Sequence, residues 1–375
     1  MGRVTTVVGS VASVTGVQGR GAKLDRRKMC RKAAFPFAAG ILSGILCSTL
    51  KFMQTYVDDD NWIEENLVFD STAYGSFGTC MSFMIVFRTA QSYSRYWEGI
   101  VAVYEIMGYL FNAASNCLAF ARITKAEEMQ VTNFKRLVVR LFSLLFCLVL
   151  RELEGSEVSS ESALKFPVLD PRGIDQKTRA HLLNFKSHSR PEQVYQAISK
   201  VILDAQSSGV INTPPPIVGR IYQEMGLGMR TFQCAMKLAV VDFPAPYLLA
   251  LKMMLVVHML LTPVAVISWA TTVAFSGFFC FVLVFTMFGL MQLAAELDNP
   301  FLDNGFGFDK MILQQKLNKA LVTILLEEGR PVASLSQTAA ILGSDDLEEM
   351  QASLIERGSM MSVMPKLPGQ VEDSD

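Results

Sequence analysis

Residues 74–99 read YGSFGTCMSFMIVFRTAQSYSRYWEG, and their character changes halfway along. From Ser71 to Phe87 there is not a single charge, only small, apolar and hydroxyl side chains; from Arg88 onward the segment is aromatic and carries arginine. A helix that gives up its apolar character at one point, and gains Arg and Trp there, is a helix arriving at a membrane surface. Within the apolar half Gly75, Thr79, Phe83 and Phe87 recur every fourth residue, so they share one slowly drifting helix face. That face is narrow at its outer end and aromatic at its inner end.

The composition agrees with a membrane chain. Of 375 residues 51% are hydrophobic and only 18% charged, and the mean hydropathy is positive. The net charge of −1 supplies no global field for nucleic acid. Seven cysteines, at 30, 47, 80, 117, 147, 234 and 280, lie mostly inside apolar runs with no CxxC pair, which reads as small buried hydrophobes rather than disulfides or zinc ligands.

Outward from the opening stretch, residues 33–50 form a first apolar run long enough to cross a bilayer, with Lys51 able to snorkel at its far end. A basic cluster (Lys23, Arg26, Arg27, Lys28, Arg31, Lys32) precedes it and an acidic loop (Asp58, Asp59, Asp60, Glu64, Glu65) follows, placing the N-terminal side in the cytoplasm or its equivalent. The second span, about 70–88, returns the chain to that side. Residues 99–121 and 137–150 are apolar enough to imitate two more spans. Glu105 and Arg140 interrupt them, and Arg122, Lys125, Lys135, Arg136 and Arg151 surround them, so both are expected inside a helical cytosolic domain. After polar residues 152–213, Pro214–Pro216 open an amphipathic helix with Ile217, Ile221, Met225, Phe232 and Met236 on one stripe. Residues 247–267 and 270–294 make two further spans. A soluble helix reaches about Glu328, and the Ser-, Met- and acid-rich residues 329–375 read as a disordered tail. Residues 1–24 contain no acid, which suits either a transit peptide or a plain cytoplasmic arm; 1–32 are treated as one basic N-terminal segment.

Three motifs carry a family resemblance: FRTAQSYSRYWEG with Arg95 and Trp97, ELDNPF with Glu296, Asn299, Pro300 and Phe301, and Pro216–Ile217 in TPPPIVGRIYQEM. Together they resemble the bestrophin anion channels over roughly residues 30–320. The resemblance implies an all-helical integral membrane protein with four transmembrane helices and a helical cytosolic domain over 33–328, assembled as a homopentamer. It implies an axial pore for chloride and, by likeness to algal and plant members, bicarbonate, in a plasma membrane or plastid thylakoid membrane. By position Thr79, Phe83 and Phe87 match the family's hydrophobic neck, where dewetting and aromatic edges act on passing anions. Ile217 matches the second constriction, the cytosolic aperture, at a helix N-terminus whose free N–H groups favour anions. Thr79 stands where animal members carry a larger apolar residue, which makes for a wetter neck, and Cys80 replaces a family proline.

Glu296, Asp298, Asp303, Asn304 and Asp309 offer the hard oxygens that calcium takes, where animal bestrophins have a calcium clasp. Gly305–Phe308 interrupt the acidic run, so a capped, solvated turn stands beside the calcium reading. Enzymatic signatures are missing: His181, His188 and His258 form no HExxH or triad order, and GLGM at 226–229 and GFGF at 305–308 lack a third glycine and a preceding strand. The rival to a channel is a secondary anion carrier using His258 and Lys252, whose ionisable groups are costly inside a span.

Overall fold

The computed structural model describes residues 26–57, 71–155, 165–177, 189–302 and 308–327, with single positions 180 and 352. The chain divides into two units, Met1–Leu325 and Leu326–Asp375, and of the second only 326, 327 and 352 are described. The expected disordered tail therefore lies outside the described residues.

The described residues contain eight α-helices and no strand. They are α1 (Arg26–Tyr56), α2 (Ser71–Phe120), α3 (Glu128–Leu153), α4 (Arg190–Ser207), α5 (Pro215–Val240), α6 (Ala245–Trp269), α7 (Val273–Leu297) and α8 (Lys310–Glu327), with a 3₁₀ turn at Pro171–Gly173. Helix α1 starts inside the basic segment and runs on past the first apolar stretch to Tyr56. Lys51 does not snorkel freely: its Nζ donates to the carbonyl of Ile267, 3.0 Å away near the end of α6, and to Gln54. An ammonium there satisfies one of the orphan carbonyls of a helix C-terminus.

Among the described residues three stretches are long and apolar enough to cross a membrane: Ala33–Tyr56, Pro215–Trp269, which holds both α5 and α6, and Val273–Leu297. The apolar half of α2 falls short of that standard because Ser, Thr, Gly and Tyr dilute it. Its hydroxyls are nonetheless satisfied within the helix: Ser76, Thr79 and Thr89 each donate to the carbonyl four residues back, at 2.9 Å.

Helix α1 packs most closely on α7, where small residues let the backbones meet. A Cβ on Gly44 would lie 2.9 Å from the Gly277 carbonyl oxygen, and one on Gly40 would meet the ring of Phe281 at 2.9 Å. The outward faces of α1, α6 and α7 leave Phe35, Leu42, Ile45, Leu249, Met253 and Phe278 bare, an apolar belt of the sort lipid covers.

The main core lies around the C-terminal half of α2, with α3, α4, α5 and α8. Every residue from Leu141 to Leu150 of α3 is buried, so the helix is wrapped on all sides. A helix apolar all round and buried in protein has the same composition as a span, which is why a hydropathy window mistakes it for one. The single polar residue there, Ser143, accepts from the Leu169 N–H at 3.0 Å and donates to Asn318 on α8 at 2.7 Å, while Gln314 donates to the Ser143 carbonyl. Burial pushes the Cys147 thiol up to about 12 and the Cys117 thiol up as well, which keeps both neutral. Cys80 and Cys234 depart from the expected pattern and are exposed. On α5 the buried stripe includes Ile221, Met225 and Phe232 as expected, but it starts at Val218; Ile217 lies off it and Met236 is half-buried.

Candidate functional site

Helix α2 is one unbroken helix of 50 residues, so the change of character at Arg88 is not a break in the chain. Its two faces in the apolar half are sharply different. Met81, Ile85, Arg88 and Ser92, spaced four, three and four apart, are buried against α6 and α7, while on the other side Thr79 is exposed, Phe83 is 74% exposed and Phe87 45%. Beyond them Gly75 and Gly78 would meet nothing within 4 Å if given a Cβ. The hydroxyl of Thr79 spends its proton on the Gly75 carbonyl at 2.9 Å, leaving only lone pairs to face outward.

Phe87 is braced from one side. Its ring lies 5.9 Å from that of Tyr247 at the start of α6, and the Tyr247 hydroxyl donates to the Met84 carbonyl of α2 at 2.8 Å. Tyr247 stacks edge-on against Phe243 at 5.3 Å, and the guanidinium of Arg88 sits 4.0 Å over the Phe243 ring. Arg88 is 1% exposed and forms a two-pronged ion pair with Asp298, whose carboxylate also accepts from Ser92 at 2.9 Å. The sequence offered both partners, each just beyond a long charge-free run, but gave no reason to join them.

The motif residues converge at the same level. Arg95 donates to the carbonyls of Leu238 (3.1 Å) and Val241 (2.6 Å) at the end of α5 and to that of Asp298 (3.4 Å) at the end of α7. Asn299 accepts from the Phe301 N–H at 3.0 Å, closing a tight turn, and donates to the Ala239 carbonyl. That turn presses Pro300 and the fully buried Phe301 on Gly99: a Cβ there would lie 2.5 Å from Pro300 Cγ and 3.0 Å from Phe301 Cζ. The first two motifs are thus the two halves of one contact. Trp97 stands apart from it, half exposed, with edge-on contacts to Tyr93 and Tyr96. Gly99→Ala is expected to destabilise the fold by about 1–3 kcal/mol through overpacking, whereas Gly108→Ala, with open space around it, gains up to about 1 kcal/mol of helix propensity. Thermal unfolding of the two variants in detergent checks the contrast; equal midpoints would contradict the contact.

Ile217 is 46% exposed in the first turn of α5, its N–H bonded to the Pro214 carbonyl at 2.9 Å. The calcium candidates are otherwise engaged: Glu296 accepts from Gln292, Asp309 caps α8 through the Ile312 N–H, and Asp298 belongs to Arg88. Asp303 and Asn304 lie outside the described residues. Among the described residues no group of three His, Cys, Asp or Glu side chains is placed to hold a metal. His258 is buried in α6, its ring parallel to that of Tyr74 on α2; Thr262 lies 2.9 Å from the Tyr74 hydroxyl and 3.2 Å from His258 Nδ1. This polar trio joins two helices, a pairing the isolated histidine did not announce.

Comparison with known proteins places this arrangement. A family described as Bacterial/Fungal Bestrophin protein matches residues 35–319. No curated protein matches the sequence. Among solved structures, the fold is similar to a bacterial bestrophin homologue from Klebsiella pneumoniae carrying an aspartate-to-alanine mutation (TM-score 0.62, 14% identity, covering 78% of this chain and 99% of that one). It is similar also to the Klebsiella pneumoniae homologue with a leucine-to-threonine mutation (0.61, 15%, 78% and 98%) and to the one solved by Zn-SAD phasing (0.60, 14%, 78% and 98%).

Proposed function

The chain belongs to the bestrophin family, and from that premise we propose that it is an anion channel, conducting chloride and bicarbonate along an axis shared by five copies of the chain. It is a membrane protein, and in this reading α1, the apolar half of α2, α6 and α7 are its four spans, while α3, α4, the cytosolic half of α2 and most of α5 form the domain on the basic side. Thr79, Phe83 and Phe87 make the neck and Ile217 the aperture.

One observation carries the reading. A charge-free helix face with two phenylalanines is bare in the single chain, while the opposite face of the same helix is closed by α6 and α7. An apolar face at a membrane crossing can be covered by lipid, but Thr79 with its outward lone pairs and the unfilled surroundings of Gly75 and Gly78 suit a narrow wet path better. One lining helix per chain cannot enclose such a path, so a ring of copies is required. The hydrophobic constriction then gates by wetting and drying, and ring edges with partial positive charge meet anions that have lost part of their water.

The test is the reversal potential of the purified protein in a planar bilayer under a chloride gradient. The expected result is discrete current steps that reverse near the chloride equilibrium potential. Silence in the bilayer together with anion exchange in liposomes would overturn the channel in favour of a carrier.

A further inference from the structure

We infer that Glu98 and Glu105 set how strongly the path below the neck favours anions, with Arg230 acting against them. The inference rests on the pore reading of α2. Because α2 runs unbroken from Ser71 to Phe120, the face found at Phe87 can be followed along it. At about 100° and 1.5 Å per residue, Glu98 returns to within about 20° of Phe87 some 16 Å further on, and Glu105 to nearly the same angle at about 27 Å. Both are exposed, and among the described residues neither has an ion-pair partner. They line one side of an open cavity of about 850 Å³ between α2 and α5, whose other side carries Arg230 and Thr231.

If the neck face borders the ion path, these carboxylates border it too, and symmetry repeats each as a ring. A ring of unpaired carboxylates lowers the local concentration of anions and raises that of cations over about one Debye length, near 10 Å at 0.1 M salt and 30 Å at 0.01 M. Arg230 has the opposite sign and the opposite effect. The chain thus reads as an anion path whose selectivity is held down by its own acids, most of all in dilute salt.

The experiment compares the full-length wild type with Glu98→Gln, Glu105→Gln, Arg230→Gln and Phe87→Ala in planar bilayers. Chloride-over-potassium permeability is read from reversal potentials at a tenfold KCl gradient, once in dilute and once in molar salt. Each glutamine variant of a glutamate is expected to raise the ratio about threefold in dilute salt and to leave it unchanged near 1 M, where charges are screened. Arg230→Gln is expected to lower it in dilute salt, a change of sign that no general loss of packing produces. If the glutamine variants match the wild type in dilute salt, or lower the ratio, while Phe87→Ala changes conductance, the charge inference fails and the pore reading stands. If Phe87→Ala is also without effect, the pore reading fails and takes this inference with it.

Discussion

In the proposed channel Phe87→Ala is expected to raise the unitary conductance roughly threefold and to weaken discrimination among anions by size, since the proposed aromatic constriction is replaced by a methyl ring. The effect should exceed that of the same change at Thr79, where only a hydroxyl and a methyl are removed. Phe87 is the inner member of the exposed series and is held by Tyr247, so its position is fixed from behind while its other side is free. The variant should fold, because the lost ring is only half buried and the brace from Tyr247 to the Met84 carbonyl does not depend on it. Single-channel recording in symmetric chloride reads the change; an unaltered unitary current would remove Phe87 from the ion path and with it the alignment of the neck along α2.

How far the sequence alone led can be seen at individual residues. The apolar stretches 247–267 and 270–294 correspond to helices Ala245–Trp269 and Val273–Leu297, each long and apolar enough to cross a membrane. The basic residues around 99–121 and 137–150 argue against two more spans there, and in the fold Leu141–Leu150 are buried in protein. What periodicity could not supply was partnership. Arg88 looked like a marker of the membrane surface and Asp298 like a calcium ligand, yet they neutralise each other across 210 residues. Tyr74 is separated in the same way from His258 and Thr262, which themselves lie four residues apart on α6. Long-range pairs of this sort leave no local signal, since each residue is compatible with several neighbours until packing chooses one. Nor did the stripe on α5 predict that Ile217 stays out of the core: Val218 is as apolar, and only the docking of α5 against α2 and α3 decides which of the two turns inward.

The ion pair behind Phe87 should dominate stability. Arg88 is 1% exposed and Asp298 is 23% exposed, so removing either leaves a charge in a poorly hydrated place. Asp298→Ala is expected to cost about 3–5 kcal/mol and Arg88→Ala somewhat less, because the carboxylate left behind can reach water more readily than the guanidinium. Part of the guanidinium would still be held by Ser92 and by the face of Phe243, which keeps Asp298→Ala from being larger still. The double variant Arg88→Met, Asp298→Leu removes both charges and should recover most of the loss, since a buried pair replaced by apolar groups of similar size is near neutral. A thermal-unfolding cycle of the wild type, Arg88→Met, Asp298→Leu and the double variant measures this, with these singles strongly destabilised and the double close to wild type. Additive losses would show that the two side chains act separately. The pair also lies one residue from Phe87 and at the turn into Asn299-Pro300-Phe301, so the double variant separates two roles: wild-type stability with an altered neck conductance would mean that the charges, and not merely the packing of α2 on α7, fix where Phe87 stands.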